Sequence, residues 1–222
     1  MTKKVLPKTK KYIIGIDEVG RGPLAGPVTV AAIILPLNFQ FSISNFQKQS
    51  KIKLKDSKKL SPKQREAWFN FIKQRKIPFA VANVSPKIID RINISNAANL
   101  AATRALCKLI TDTPQLPTNN LKIYLDGGLK IIFPRKSVLS QHWSARTIVR
   151  GDEKIPAIMF ASIVAKVRRD KLMKINHKKY PRYGFKKHKG YGTKLHYRAL
   201  KLNGASKIHR KSFLSSLKKE GH

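Results

Sequence analysis

Three short apolar runs rich in β-branched residues close on carboxylates: Tyr12-Ile-Ile-Gly-Ile-Asp17 with Glu18 behind it, Leu121-Lys-Ile-Tyr-Leu-Asp126, and Thr147-Ile-Val-Arg-Gly-Asp152. Runs of this length and make-up predict strands. Val28-Thr-Val-Ala-Ala-Ile-Ile-Leu35 follows the first across the Gly/Pro-rich turn 20–27, suited to antiparallel pairing, and Pro78-Phe-Ala-Val-Ala-Asn-Val84 adds a fifth. Helix signals lie between them. Ser61-Pro62-Lys63-Gln64 offers an N-cap serine, a proline at the first helical position and a capping-box glutamine, predicting a helix to about Arg75. Ala101, Ala105 and Leu109, flanked by Ala102, Leu106 and Ile110, recur at helical spacing after Ser95 and Asn96. A third helix, from about Pro156 to Met173, is apolar almost all round in its first half, which predicts burial. Strands interleaved with helices define an α/β domain.

Charge says what such a domain meets. The chain carries 47 Lys+Arg against 11 Asp+Glu, a formal net charge of +36. Neutralising phosphates releases condensed counterions, so the excess points to nucleic acid. An organism with basic proteins throughout is the alternative source of the same excess. With 41% hydrophobic residues the chain can bury a core, and its 222 residues suit one domain with a small appendage. Cys107 is the only cysteine, which excludes a disulfide framework or a cysteine-rich zinc site. No apolar run reaches the roughly 18 residues of a spanning helix, and no signal-type core follows Met1. A soluble, cytoplasmic monomer is expected.

The organisation falls into three parts: a flexible basic arm over 1–11, an α/β domain over 12–180, and a basic C-terminal segment over 181–222 packed on the core. The last contains Pro181-Arg-Tyr-Gly-Phe-Lys-Lys-His-Lys-Gly-Tyr-Gly-Thr193, whose rings among cations suit sugars, bases and phosphates, or a plain solvated loop. Thr193 is placed to cap a short helix ending at Asn203-Gly204.

In so basic a chain, carboxylates at strand ends need a reason. Taken singly, Asp17, Glu18, Asp126 and Asp152 each read as surface or capping residues; their convergence at one sheet edge is the stronger argument. Four carboxylates suit hard divalent cations, two of which can activate water against a phosphodiester. Adjacent strand residues face opposite ways, so Asp17 and Glu18 are expected to share a site only if the strand kinks there. Ser162, Lys166 and Asp170 share one helix face, as a structural stripe or as support for the site.

The stretch Gly15-Ile-Asp-Glu-Val-Gly-Arg-Gly-Pro-Leu-Ala-Gly-Pro-Val28 resembles the signature of ribonuclease HII, the type 2 ribonuclease H family. The likeness continues, in order, through Asp56-Ser57-Lys58-Lys59-Leu60, Asp90-Arg-Ile-Asn93-Ile94, Leu125-Asp126-Gly127, Arg150-Gly-Asp152, Ala161-Ser-Ile-Val-Ala-Lys-Val167, Arg169-Asp170, His188-Lys-Gly-Tyr-Gly-Thr193 and His209-Arg-Lys-Ser-Phe213. The resemblance implies a ribonuclease H-like fold: a central mixed five-stranded sheet flanked by helices, with a small basic C-terminal helical appendage. It implies metal and catalytic roles for Asp17, Glu18, Asp126 and Asp152, with two Mn²⁺ or Mg²⁺ ions. Gly20, Arg21 and Gly22 would approach the ribose 2′-hydroxyl and phosphate. Tyr191 would stack on the sugar after the ribonucleotide. Ser57, Lys58, Asn93, Ser162 and Lys166 would bind or position the backbone. The implied substrates are RNA–DNA hybrids and duplex DNA with embedded ribonucleotides, cut 5′ to a ribonucleotide, as in ribonucleotide repair and RNA primer removal.

Three points depart from the pattern. Val19 stands where alanine is usual, Phe160 precedes Ala161-Ser162 where a small residue is common, and both are expected to enlarge the neighbourhood of the site. Residues 127–151 are long and basic, which leaves Glu153 a rival to Asp152. The competing readings are a non-catalytic basic nucleic-acid-binding protein, against which the carboxylates argue because they repel phosphate without metal, and another phosphoryl-transfer enzyme on a related sheet, against which the Gly-Arg-Gly and Lys-Gly-Tyr elements argue.

Overall fold

The computed structural model describes residues 11–116, 121–132 and 144–214. Nearly all of the basic arm, and the middle of the long 127–151 segment, lie outside the described residues. The strands are β1 (Tyr12–Val19), β2 (Val28–Pro36), β3 (Phe79–Val84), β4 (Leu121–Asp126) and β5 (Ser144–Ile148). The described helices are α1 (Gln40–Ser50), α2 (Pro62–Gln74), α3 (Pro86–Ile92), α4 (Ile94–Thr111), α5 (Gly151–Lys154), α6 (Pro156–Lys179), α7 (Phe185–His188) and α8 (Lys194–Asn203). One mixed sheet runs β3-β2-β1-β4-β5. β1, β2 and β3 pair antiparallel, whereas β4 joins β1 in parallel and β5 joins β4 in parallel.

Strand alternation sends two sets of side chains to two layers. Ile14, Ile16, Val30, Ala32 and Ile34 meet α4, whose alanines Ala97, Ala98, Ala101, Ala102 and Ala105 let the helix lie close on the sheet. Ala31, Ile33 and Leu35 meet α2 and α6 on the other face. Gly15 permits that second approach, because a Cβ there would sit 2.2 Å from the backbone of Ala157. Trp68, Phe71 and Phe160 form the aromatic centre of this layer, with ring centroids 5.4–6.3 Å apart. Burying a ring of this kind is worth about 1.5–3 kcal/mol by transfer from water.

Two expectations change here. The strand expected over Thr147–Asp152 instead runs Ser144–Ile148 as β5, because Arg150 turns into the left-handed region (φ 54°) and opens α5. Asp152 is therefore delivered by a helical turn. Phe160 packs among Trp68, Phe71 and Phe39, so it does not enlarge the site; two residues along a helix from Ser162, it points some 200° away.

A third cluster joins Leu24 and Ala25 to Met173, Tyr183, Phe185, Ala199 and Leu200. Inside it the histidines are wired in one direction. The Ser206 N–H donates to His209 Nδ1 at 2.8 Å, so His209 Nε2–H donates to His196 Nε2 at 2.9 Å, and His196 Nδ1–H donates to the Tyr191 carbonyl at 2.9 Å. Each ring in this relay is neutral. Burial is the main cause that lowers His196 and His209 to about 4. A histidine held neutral in the fold but protonated when unfolded gives stability that is complete above about pH 6.5 and lost as pH falls toward 4. Ring-proton NMR titration of the folded protein should show both imidazoles neutral down to about pH 4.5; midpoints near 6.5 would refute the wired arrangement.

Candidate active site

The parallel ladder of β1 and β4 ends at Ile16↔Leu125, and the next residue on each strand is a carboxylate, Asp17 and Asp126. Glu18 follows on β1. One carboxylate oxygen from each of Asp17, Glu18 and Asp126 lies within 4.8 Å of the others. No kink is needed to bring them together. The β1 register against β2 runs unbroken through Asp17↔Ala31, Glu18↔Val30 and Val19↔Thr29. Alternation instead sends Asp17 toward α6 and Glu18 toward α4, and the pair closes around the corner where β4 stops.

Each carboxylate has its own support. Asp17 Oδ1 accepts the Glu18 N–H at 2.7 Å, and Ser162 of α6 donates a hydrogen bond to Asp17. Ser162 is backed by Ser57, Oγ to Oγ at 2.7 Å. Glu18 Oε1 meets Arg21 Nη1 at 3.4 Å, and Arg21 Nη2 donates to Ser95 Oγ at 3.2 Å. Asp126 Oδ1 accepts the N–H groups of Gly151 (2.8 Å) and Asp152 (3.3 Å), which ties α5 to the end of β4. Asp152 stands outside the close trio but flanks it, with Lys58 Nζ 3.7 Å from its Oδ2. Glu153, the alternative to Asp152, turns outward and pairs with Lys59 at 2.5 Å.

Electrostatics at this corner suit a cation. Burial, then the charges of Glu18 and Asp126, push Asp17 well above the usual carboxylate range. Glu18 is raised by burial, against the pull of Arg21, and Asp152 by burial and by Asp126 and Asp56. Burial lowers the Lys58 ammonium, yet the surrounding Asp56, Asp152, Asp17 and Asp126 raise it overall. Glu18 Oε2 is buried with no hydrogen-bond partner among the described residues. Clustered hard oxygen donors, mutual repulsion and an orphaned carboxylate oxygen are what a divalent cation satisfies, so the residues present fit one.

The other expected site residues spread around this corner. Gly20 has φ +91°, and Gly22 is exposed with nothing within 4 Å of an added Cβ. Lys58 is exposed beside Asp152, while Ser57 is buried behind Asp17. Asn93 caps α4, its side chain accepting the Asn96 N–H at 3.0 Å, two residues from the Ser95 that holds Arg21. Lys166 pairs with Asp170 at 2.9 Å, and Asp170 lies 4.0 Å from Arg65. The side chains therefore divide: Ser162 supports the carboxylates and Lys166 with Asp170 forms a separate ion pair. Tyr191 is 40% exposed, its ring over the Arg169 guanidinium at 5.9 Å. Sequence reasoning gave no role at this site to Ser95, Arg65 or the buried Arg210.

The sheet order, with helices on both faces and carboxylates at the shared end of β1 and β4, is that of the ribonuclease H-like class. Solved structures agree. A chain of the PCNA:RNase HII complex from Archaeoglobus fulgidus matches with TM-score 0.61 and 25% identity over 90% of this chain and 93% of its own. Ribonuclease H2 from Pyrococcus horikoshii OT3 matches with TM-score 0.58 and 24% identity over 94% and 98%. Bst-RNase HIII in complex with Mn²⁺ shares the fold, with TM-score 0.68 and 19% identity over 96% of this chain and 70% of its own. The family model of ribonuclease HII matches residues 14–216. A ribonuclease HII from Endomicrobium trichonymphae is 46% identical over 201 residues, 90% of this chain and 84% of that protein. Another, from Bacillus cereus, is 43% identical over 202 residues, 91% and 68%. The chain belongs to the ribonuclease HII family and is a ribonuclease H, a hydrolase. Among the described residues, no helix is long and apolar enough to cross a membrane.

Proposed function

We propose that this ribonuclease H cuts the phosphodiester on the 5′ side of a ribonucleotide, in RNA–DNA hybrids and in duplex DNA with embedded ribonucleotides. Water oxygen bonds to phosphorus, the bond to the preceding nucleotide's O3′ breaks, and that oxygen takes a proton. The ends are a 3′-hydroxyl and a 5′-phosphate. The observation that carries this reading is the trio Asp17, Glu18 and Asp126, within 4.8 Å of one another, beside the exposed Gly22.

Asp17, Glu18, Asp126 and Asp152 would hold Mn²⁺ or Mg²⁺, two ions in the full set, supplying a nucleophilic water and charge neutralisation at the leaving oxygen. The chain's own groups place the substrate. Gly22, lacking a side chain, lets a ribose and its 2′-hydroxyl approach the backbone. Arg21, held by Glu18 and Ser95, presents a fixed cation next to that backbone. Lys58, exposed beside Asp152, is placed for a phosphate oxygen. Tyr191 offers a ring to the next sugar, and Asn93, Ser57, Ser162 and Lys166 would position backbone or carboxylates. Removal of embedded ribonucleotides and of RNA primers is the role such cleavage serves.

Cleavage mapping on a DNA duplex carrying one ribonucleotide tests the reading directly. The expected product is a single cut on the 5′ side of the ribonucleotide, lost on chelation and restored by Mn²⁺ or Mg²⁺. Cutting on the 3′ side, or cutting that survives chelator, would overturn it.

A further inference from the structure

Arg169 on α6 and Arg210, beyond α8, are both fully buried. Among the described residues neither forms an ion pair with a carboxylate. A buried cation is tolerated only when its donors are satisfied, and these two use main-chain carbonyls. Arg210 donates from Nε to Gly26 O at 3.0 Å, from Nη1 to Arg21 O at 2.6 Å and from Nη2 to Gly20 O at 2.6 Å. Arg169 donates from Nε to Pro27 O at 3.0 Å, from Nη1 to Lys189 O at 2.9 Å and from Nη2 to Ala25 O at 3.2 Å. Five of these six carbonyls belong to residues 20–27, the turn that contains Gly20-Arg21-Gly22. The sixth belongs to the loop that carries Tyr191.

Main-chain bonds close the same triangle. Leu24 N–H donates to Gly190 O, Gly26 N–H to Ile208 O and Arg210 N–H to Leu24 O, each at 2.8 Å. The Tyr191 ring lies over the Arg169 guanidinium, and a Cβ on Gly20 would fall 2.2 Å from Arg169 Nε. One guanidinium thus touches both loops. Burial, and then the proximity of Arg169, lower Arg210 to about 9, with Tyr191 and Asp90 acting the other way. Two buried guanidiniums with no carboxylate in ion-pair contact among the described residues are an expensive way to close a simple structural turn; an apolar pair would fill the same space. Arginine's planar fork, by contrast, gathers three carbonyls at fixed angles, which a lysine ammonium does not reproduce.

We propose that Arg169 and Arg210 are positioning residues that hold the Gly20–Gly22 turn and the Tyr191 loop at one spacing, so that a 2′-hydroxyl and the sugar following it are read together. Neither arginine touches substrate; both act through the two loops. The inference rests on the roles given above to Gly22 and Tyr191.

The test uses the full chain carrying Arg169→Lys, Arg210→Lys, Tyr191→Ala and the double variants of each arginine with Tyr191. The readout is the ratio of kcat/KM on a duplex with one ribonucleotide to kcat/KM on an all-RNA/DNA hybrid, with melting temperature beside it. Each lysine variant should fold and lower that ratio by about fivefold, and the doubles should fall no lower than Tyr191→Ala alone, since the spacing that the arginines set matters only while the ring is there to use it. An unchanged ratio in a folded lysine variant, or additive losses in the doubles, overturns the proposal. Failure of both lysine variants to fold overturns it too, by making the arginines purely structural. If Tyr191→Ala alone leaves the ratio unchanged, the reading of Tyr191 falls; if it lowers the ratio and the arginine variants do not, only the clamp falls.

Discussion

Asp126→Asn should abolish turnover, by roughly 10³-fold or more, while leaving the fold intact. Asp126 Oδ1 accepts two N–H groups from α5, and an asparagine carbonyl can accept the same pair. What the amide cannot do is carry the negative charge a divalent cation needs, and it ligates hard ions poorly. A loss of that size corresponds to about 4 kcal/mol of transition-state stabilisation. The sign for stability is opposite. Asp17, Glu18 and Asp152 are all raised in part by Asp126, so removing its charge relieves repulsion in the metal-free protein. Melting temperature without metal should therefore hold or rise, while calorimetric Mn²⁺ binding weakens. Robust cleavage by this variant would take Asp126 out of the catalytic set; a collapse in melting temperature would make its role structural.

Tyr191→Ala should cut kcat/KM on a single embedded ribonucleotide by about tenfold or more, and Tyr191→Phe much less. Aromatic stacking contributes about 1–3 kcal/mol in single-strand systems, and about 1.4 kcal/mol is tenfold. The ring is 40% exposed and its described ring contact is the one over Arg169, so truncation forfeits little packing. A cation–π contact of this exposed kind is worth about 0.5–1 kcal/mol. Melting temperature should fall by only a few degrees. Equal losses on the single-ribonucleotide duplex and the all-RNA hybrid, with a large fall in melting temperature, would mean that the ring merely supports its loop.

Where local chemistry dictates structure, it can be read from the residues. β4 ends at Asp126 as its apolar run does, α2 starts on the Ser61 capping box, and Thr193 caps α8 through the His196 N–H. The carboxylates can be read because a chain this basic has few to spare. α1 leaves little signal, since Gln40–Ser50 offers only sparse apolar positions, no acidic first turn and no side-chain cap. β5 is placed too far along from sequence because Ile148-Val149 looks like strand core, although the strand starts at Ser144, Val149 is 72% exposed and the chain has already turned. Arg169 and Arg210 fall within stretches that carry the family likeness, yet nothing there marks either for burial. Among 47 basic residues, nothing local distinguishes a guanidinium that will be buried from one that will be solvated. Only the tertiary fold supplies the carbonyls that make burial tolerable.

The bond from Arg210 to Gly20 joins residues 190 positions apart. Closing a chain segment of that length costs entropy that grows with its logarithm, and nothing local rewards the closure beforehand. During synthesis the carboxylates of β1, β4 and α5 are all made well before Arg210 leaves the ribosome. A nascent chain can thus assemble its acidic corner while the turn at Gly20 still lacks its clamp. Order of translation therefore keeps the acidic corner and the guanidinium that holds the turn apart until Arg210 has been made.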